Sequence, residues 1–221
     1  MPRSARARPA PHQTGCTRTV PYPPEEPISQ PPSHDATIQA ILDNDDYQET
    51  LDDVRERIMT GDIDEIEDAV DLIIEGLEGT EDEIEEDAAE QLATQIWAEC
   101  AQVAEEWAED TTDVDKVMAA FEALAEKDIV VGLYTDWPSL ELSDEDRGGV
   151  LVWVNEWENL SHEEVRSLRI GYMGMAEDDD TIGAELVEAL SEAGLKPEPP
   201  AEALVAVPVL WRWHVEHLGE L

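Results

Sequence analysis

Between residues 35 and 110 the apolar positions recur every three to four residues, the spacing of one helical face. Tyr47, Leu51, Val54 and Ile58 make a first stripe, which Gly61 interrupts. Ile63, Ile66, Val70, Ile73, Ile74 and Leu77 make a second, with Gly76 and Gly79 placed to end it. Thr80 and Glu83 have the spacing of a capping box, in which hydroxyl and carboxylate each take an orphan backbone N–H. From there Ile84, Ala88, Leu92, Ile96, Cys100, Val103 and Trp107 line one side of a helix for about seven turns. The stripes are narrow and the other faces acidic, so these helices must pack on one another or on the second half of the chain.

After residue 110 the period changes. Thr112 or Asp113 caps a helix whose Val117, Phe121 and Leu124 face inward, and Ile129, Val130, Val131, Leu133 and Tyr134 read as a strand. A loop over 135–147 contains Pro138, and Gly148 and Gly149 then release a strand predicted over 150–157. That strand is apolar on both faces, Val150, Val152 and Val154 against Leu151, Trp153 and Trp157, which predicts a central strand covered on both sides. Ser161 and Glu164 cap a short helix, and Leu168, Ile170 and Tyr172 form a third strand. Asp180 or Thr181 opens a helix carrying Ile182, Leu186, Val187 and Leu190, which Gly194 ends. Leu204, Val205 and Val207 make a last strand before Trp211 and Trp213. The fold class predicted is α+β, an acidic helical region followed by a small domain with about four strands and two to three helices. The pattern divides the chain into three segments: a Pro- and Arg-rich tail at 1–34, the acidic helical region at 35–110 and the α+β domain at 111–221.

Charge changes the picture. The 221 residues hold 55 Asp and Glu against 13 Lys and Arg, a net charge of -42. Residues 1–34 hold nine of the fourteen prolines and a net +2; residues 35–110 carry -26 and residues 111–221 carry -18. The tail reads either as a basic docking arm or as a segment outside the native fold, and the abrupt change of sign near Asp35 favours the second. A chain this acidic repels phosphate backbones, which excludes direct nucleic-acid binding. The same sign disfavours anionic membranes, and no apolar run approaches the ~20 residues that span a bilayer. An apolar content of 42% with seven Trp separates the chain from acidic disordered sequences. In dilute buffer the charges repel over a Debye length of ~8 Å, which molar salt shortens to ~3 Å. With only Lys116, Lys127 and Lys196 beside ten Arg, the composition resembles that of proteins from extreme halophiles that accumulate salt. A halophilic, cytoplasmic protein is therefore expected. Cys16 and Cys100 form neither a metal set nor a disulfide framework, consistent with a reducing compartment, and no apolar stretch of a signal peptide follows the N-terminal arginines.

Candidate chemistry is sparse. Gly171, Gly174 and Gly183 lack dinucleotide or P-loop spacing, and Ser, Cys and His follow no family order for a triad, so no cofactor and no catalytic residue are expected. Glu177, Asp178, Asp179 and Asp180 could hold a hard cation, but acids before a helix also favour its dipole. His214 and His217 share a helix face at i and i+3 without the zinc-protease pattern, so no metal is expected there either. His162 reads as a surface residue beside a cap. Trp97, Trp107 and Trp153 lie on core stripes, whereas Trp137, Trp157 and Trp211 are less committed to packing. Asn155, polar within the strongest strand, needs a hydrogen-bond partner or a cleft. Trp137, Asn155 and Trp157 are the partner-binding candidates. The function expected is a non-enzymatic protein-interaction or regulatory module with an unidentified protein partner and undetermined oligomeric state. The alternatives are an enzyme or divalent-cation-dependent binder using the acids near Asp180, and an acidic decoy for a basic partner.

Residues 107–213 also carry a recognisable pattern. It comprises Trp107 and Asp113 ahead of Ala120-Phe121-Glu122-Ala123-Leu124 and Ile129-Val130, then Arg147-Gly148-Gly149-Val150 and Leu168-Arg169-Ile170-Gly171-Tyr172. It closes with residues 182–190 and Ala193-Gly194-Leu195. This half resembles an uncharacterised bacterial domain-of-unknown-function family. The resemblance implies architecture and no activity. Many members of that family have a cysteine cluster after the first strand; residues 132–140 here contain none, so no metal or redox role carries over.

Overall fold

Helices come first along the chain and strands second in the computed structural model, which describes residues 34–77, 84–175, 179–216 and 218. Four helices, α1 (His34–Leu42), α2 (Gln48–Thr60), α3 (Ile66–Leu77) and α4 (Glu86–Ala104), form a helical layer. After them come α5 (Asp113–Ala125), β1 (Ile129–Thr135), β2 (Gly148–Trp153), β3 (Arg166–Gly174), α6 (Asp179–Glu192) and β4 (Leu204–Val209). The class is α+β, and residues 32–221 make one compact unit. The Pro-rich residues 1–33, Cys16 among them, lie outside the described residues, as do Gly79 and the Thr80–Glu83 capping box.

The sheet has the order β1-β2-β3-β4; β1 runs parallel to β2 and the other neighbours are antiparallel. Parallel neighbours need a crossover of about a dozen residues, usually helical. Here the irregular segment 136–147 supplies it. On one face Val150, Val152, Leu168, Ile170, Val205 and Val207 pack against α5 and α6 through Phe121, Leu124, Leu186 and Leu190. On the other, the crossover lays Leu140 over β2: a Cβ on Gly149 would come within 2.6 Å of the Leu140 side chain. β2 is therefore central and covered twice, and its second cover is a loop.

The helical layer has its own apolar core, with Leu51, Val54, Ile58, Ile73, Leu77, Leu92 and Ile96 buried together. The segment after β4 joins the two cores. Trp211 is buried in the sheet core, Val215 in the helical core, and Trp213 packs against both. Its hydrogen bonds run the same way. The Trp107 indole donates to the Trp213 carbonyl and the Trp97 indole to the Glu216 carbonyl, both at 2.9 Å. Thr60 ends α2, so its carbonyl has no partner within the helix. It accepts instead from the Trp211 indole and the Tyr134 hydroxyl, each at 2.8 Å. Burial raises the Tyr134 pKa well above that of an ordinary phenol, so the hydroxyl stays protonated as a donor. Gly61 comes next, in the left-handed conformation at φ 72, and a Cβ there would stand 2.2 Å from the Trp213 ring. The glycine thus ends the helix and admits the indole.

Several local expectations are corrected. α1 precedes the first predicted stripe, burying Ile38 and Ile41. Gly76 lies inside α3, where the Thr50 methyl group fills the space a Cβ would need. β2 ends at Trp153 and not at 157: Val154 and Asn155 form a turn and Glu156–Asn159 a short 3-10 helix. The alternation of apolar residues continues through Val154 and Trp157, but the chain turns so that Glu156 enters the interior while Val154 faces solvent. Ser161 does accept from the backbone of Glu163 and Glu164, yet no helix forms there, and the chain extends directly into β3. The Thr112 cap is present, with Asp115 completing its capping box.

Candidate binding face over Trp153

Gly171 of β3 pairs with Leu151 of β2 and shares its face of the sheet. A Cβ on Gly171 would lie 2.3 Å from the Trp153 ring, so the missing side chain is what lets this indole lie down on β3. Trp137, held by the crossover, stands edge-on to Trp153 with ring centroids 6.4 Å apart and planes at 89°, a favoured aromatic arrangement. The two indoles line a cavity of about 350 Å³ with Tyr172, Met173, Glu202, Ala203 and Leu204. A second cavity of about 200 Å³ shares Trp153 and Leu204 with the first and adds Asn155, Glu156 and Arg169.

The two charged groups of the second cavity are matched to each other. Glu156, 1% exposed, accepts from the backbone N–H of Arg169 at 3.0 Å and from its guanidinium at 2.8 and 3.1 Å. The guanidinium's bonds to Glu156, with the carboxylate's charge, raise the Arg169 pKa further and hold its side chain along the cavity wall. A carboxylate this fully engaged is a structural anchor, not an available base. Among the described residues no buried side-chain nitrogen or oxygen lacks a hydrogen-bond partner.

The lip of the first cavity is strained. Ala201 and Leu204 exchange both backbone hydrogen bonds at 2.9 Å around Glu202 and Ala203, whose φ angles are 53 and 60. A two-residue turn with both φ positive normally carries Asn-Gly. Holding other residues there costs about 1–3 kcal/mol each and is found where the surroundings demand it.

Trp137 and Asn155 fall on the two adjoining cavities. Trp157 lies elsewhere, beneath the Arg57 guanidinium at 5.0 Å from its ring centre. Asp179 and Asp180 open α6; Asp178 and His217 lie outside the described residues. His214 pairs with Asp115, Nε2 to Oδ2, at 3.1 Å. Burial works against the Asp115 carboxylate, but the Thr112 and His214 hydrogen bonds outweigh it and hold its pKa below the usual range. His162 packs against Trp107, with centroids 6.0 Å apart. Burial pushes the Cys100 thiol up to about 11, leaving it a poor nucleophile. No group of three or more His, Cys, Asp or Glu among the described residues is placed to hold a metal, and none of the described helices is long and apolar enough to cross a membrane.

Sequence reasoning assigned Trp153 to the core and passed over Arg169, Glu202 and Leu204. The signal available was Gly171 inside a strand pattern, which marks a close approach by another group. No curated protein and no solved structure matches the chain. One family model does, over the helical layer from residue 43, then α5, β1 and the start of the crossover, overlapping the pattern read from sequence across 107–139. Residues 43–139 match the family described as a domain of unknown function, DUF6891.

Proposed function

We propose that this chain is a non-enzymatic interaction module of a salt-rich cytoplasm, and that it engages a protein partner through the face around Trp153. The observation that supports the reading is the pair of adjoining cavities on the sheet face opposite α5 and α6, lined by two partly exposed tryptophans. Aromatic side chains that present a large rigid surface without being fully buried are the usual anchors of partner binding. Around them stands an acidic body, -18 over residues 111–221, which selects against acidic partners. Asn155, exposed at the rim of the second cavity, offers a donor and an acceptor for register. The test is affinity capture in about 2 M potassium chloride, where nonspecific attraction is screened. A partner retained by the native chain and lost with Trp137→Ala or Asn155→Ala, at unchanged circular dichroism, is the expected result. Equal retention by all three proteins would sink the proposal.

A further inference from the structure

We infer that the cavity lined by Trp137 and Trp153 is a site for an alkylated ammonium group, either a small quaternary amine or the end of a methylated lysine side chain. This rests on the proposed use of the face for binding, and it names the chemistry the face would take. Both indoles line one cavity of about 350 Å³, with their planes at 89° and centroids 6.4 Å apart, so a guest in it touches both aromatic side chains. Aromatic faces are negative, and a cation within ~6 Å of the ring centre is drawn to them.

The rest of the lining chooses among cations. Met173, Ala203 and Leu204 are apolar, which suits methyl groups and disfavours a bare, strongly hydrated ammonium. Glu202 is the ionisable carboxylate among the lining residues. It is presented from the strained turn, which is held by the Ala201–Leu204 pair and by the Tyr172 N–H donating to the Ala203 carbonyl at 3.1 Å. Arg169, the cation that would repel such a guest, lines the adjoining cavity and is matched by Glu156 at 2.8 Å.

The experiment is isothermal titration calorimetry of the full chain in about 2 M potassium chloride, where attraction beyond the cavity is screened. The probes are choline, a capped trimethyllysine, and the uncharged isostere of choline in which a tert-butyl group replaces the trimethylammonium. Choline and trimethyllysine should bind saturably, and the isostere at least ~10-fold more weakly. Trp137→Ala should abolish binding. Glu202→Gln, at an exposed position, should weaken it several-fold without altering the circular dichroism spectrum. Tighter binding of trimethyllysine places the group on a partner chain; tighter binding of choline makes it a free ligand. Either outcome keeps the cation chemistry. Equal affinity for the isostere, no saturable heat with any probe, or undiminished binding by both variants overturns the inference. If Trp137-dependent capture persists while choline fails, this inference falls and the interaction reading stands; the reverse pattern removes only the interaction reading.

Discussion

The helical layer and the sheet layer are both built on fully buried apolar cores, yet they are fastened differently. Residues 35–110 carry -26 with only Arg55 and Arg57 as counter-charges, and neither α2 nor α4 has a side-chain cap at its N-terminus. Residues 111–221 carry -18 and add polar clasps: the Thr112–Asp115 capping box, Arg147 on Glu185 at 2.7 Å and Arg169 on Glu156 at 2.8 Å. Two of those clasps join residues far apart in sequence, so they fix tertiary structure as well as neutralising charge. Among the described residues the ion pairs of the helical layer, Arg55 with Asp52 and Glu99 and Arg57 with Asp62, all stay within that layer. Its attachment to the sheet relies on burial, on the indole-to-carbonyl bonds of Trp211, Trp107 and Trp97, on the Tyr134 hydroxyl bond to Thr60 and on Arg57 over the Trp157 ring. The difference teaches that internal ion pairs suffice to fasten one layer against self-repulsion, whereas the other, with fewer cations and more acids, is also tied down from outside.

The sharpest way to break the comparison is to cut that tie. Gly61→Val combines a left-handed backbone with a collision against the Trp213 ring, each costing about 1–3 kcal/mol. Denaturant unfolding in molar salt should shift by several kcal/mol and split into two transitions, helical layer first. A single transition at the native midpoint would show that Trp213 does not couple the cores.

Salt is the next lever. Lowering potassium chloride from about 1 M to about 0.01 M lengthens the Debye distance from ~3 to ~30 Å. Hydrogen exchange should then show α2, α3 and α4 losing protection before β2 and β3. Uniform loss would mean that the clasps of the sheet layer contribute nothing against repulsion.

The smallest effect expected concerns one clasp. The Arg147 hydrogen bond, opposed by partial burial, holds the Glu185 pKa below the usual carboxylate range. A lowered folded pKa contributes stability above the unfolded value of about 4.3, and that contribution is lost as pH falls through the folded pKa. Glu185→Gln should therefore cost on the order of 0.5 kcal/mol at neutral pH and progressively less in acid. A cost independent of pH would assign the contact to packing.

Periodicity made most elements legible, because burial of one face leaves a repeat of 3.6 or 2 in the sequence. It failed where burial was not written locally. Among the described side chains of α1, Ile38 and Ile41 are the buried ones, too few to show a period. The end of β2 was hidden because Val154 and Trp157 continue the apolar alternation, whereas the turn depends on Glu156 meeting Arg169 thirteen residues later. The binding face was half legible. Trp137 and Asn155 stood out as residues without a core assignment, but Trp153 joins them only through the register that puts Gly171 beside Leu151 and Leu204 beside Gly171. Trp157 drew attention for its type and is already engaged by Arg57.

The segment from Trp211 to Val215 also sets an order of events during synthesis. The helices leave the ribosome first, but the Trp107 and Trp97 indoles and the groove beside Gly61 gain their partners only from residues 213–216, and the Thr60 carbonyl, already met by Tyr134, gains its second donor from Trp211. A chain cut short before Trp211 would carry nearly every secondary element and still leave its oldest region unsealed. Quality control acting on exposed helices would thus report on whether translation had passed the last strand.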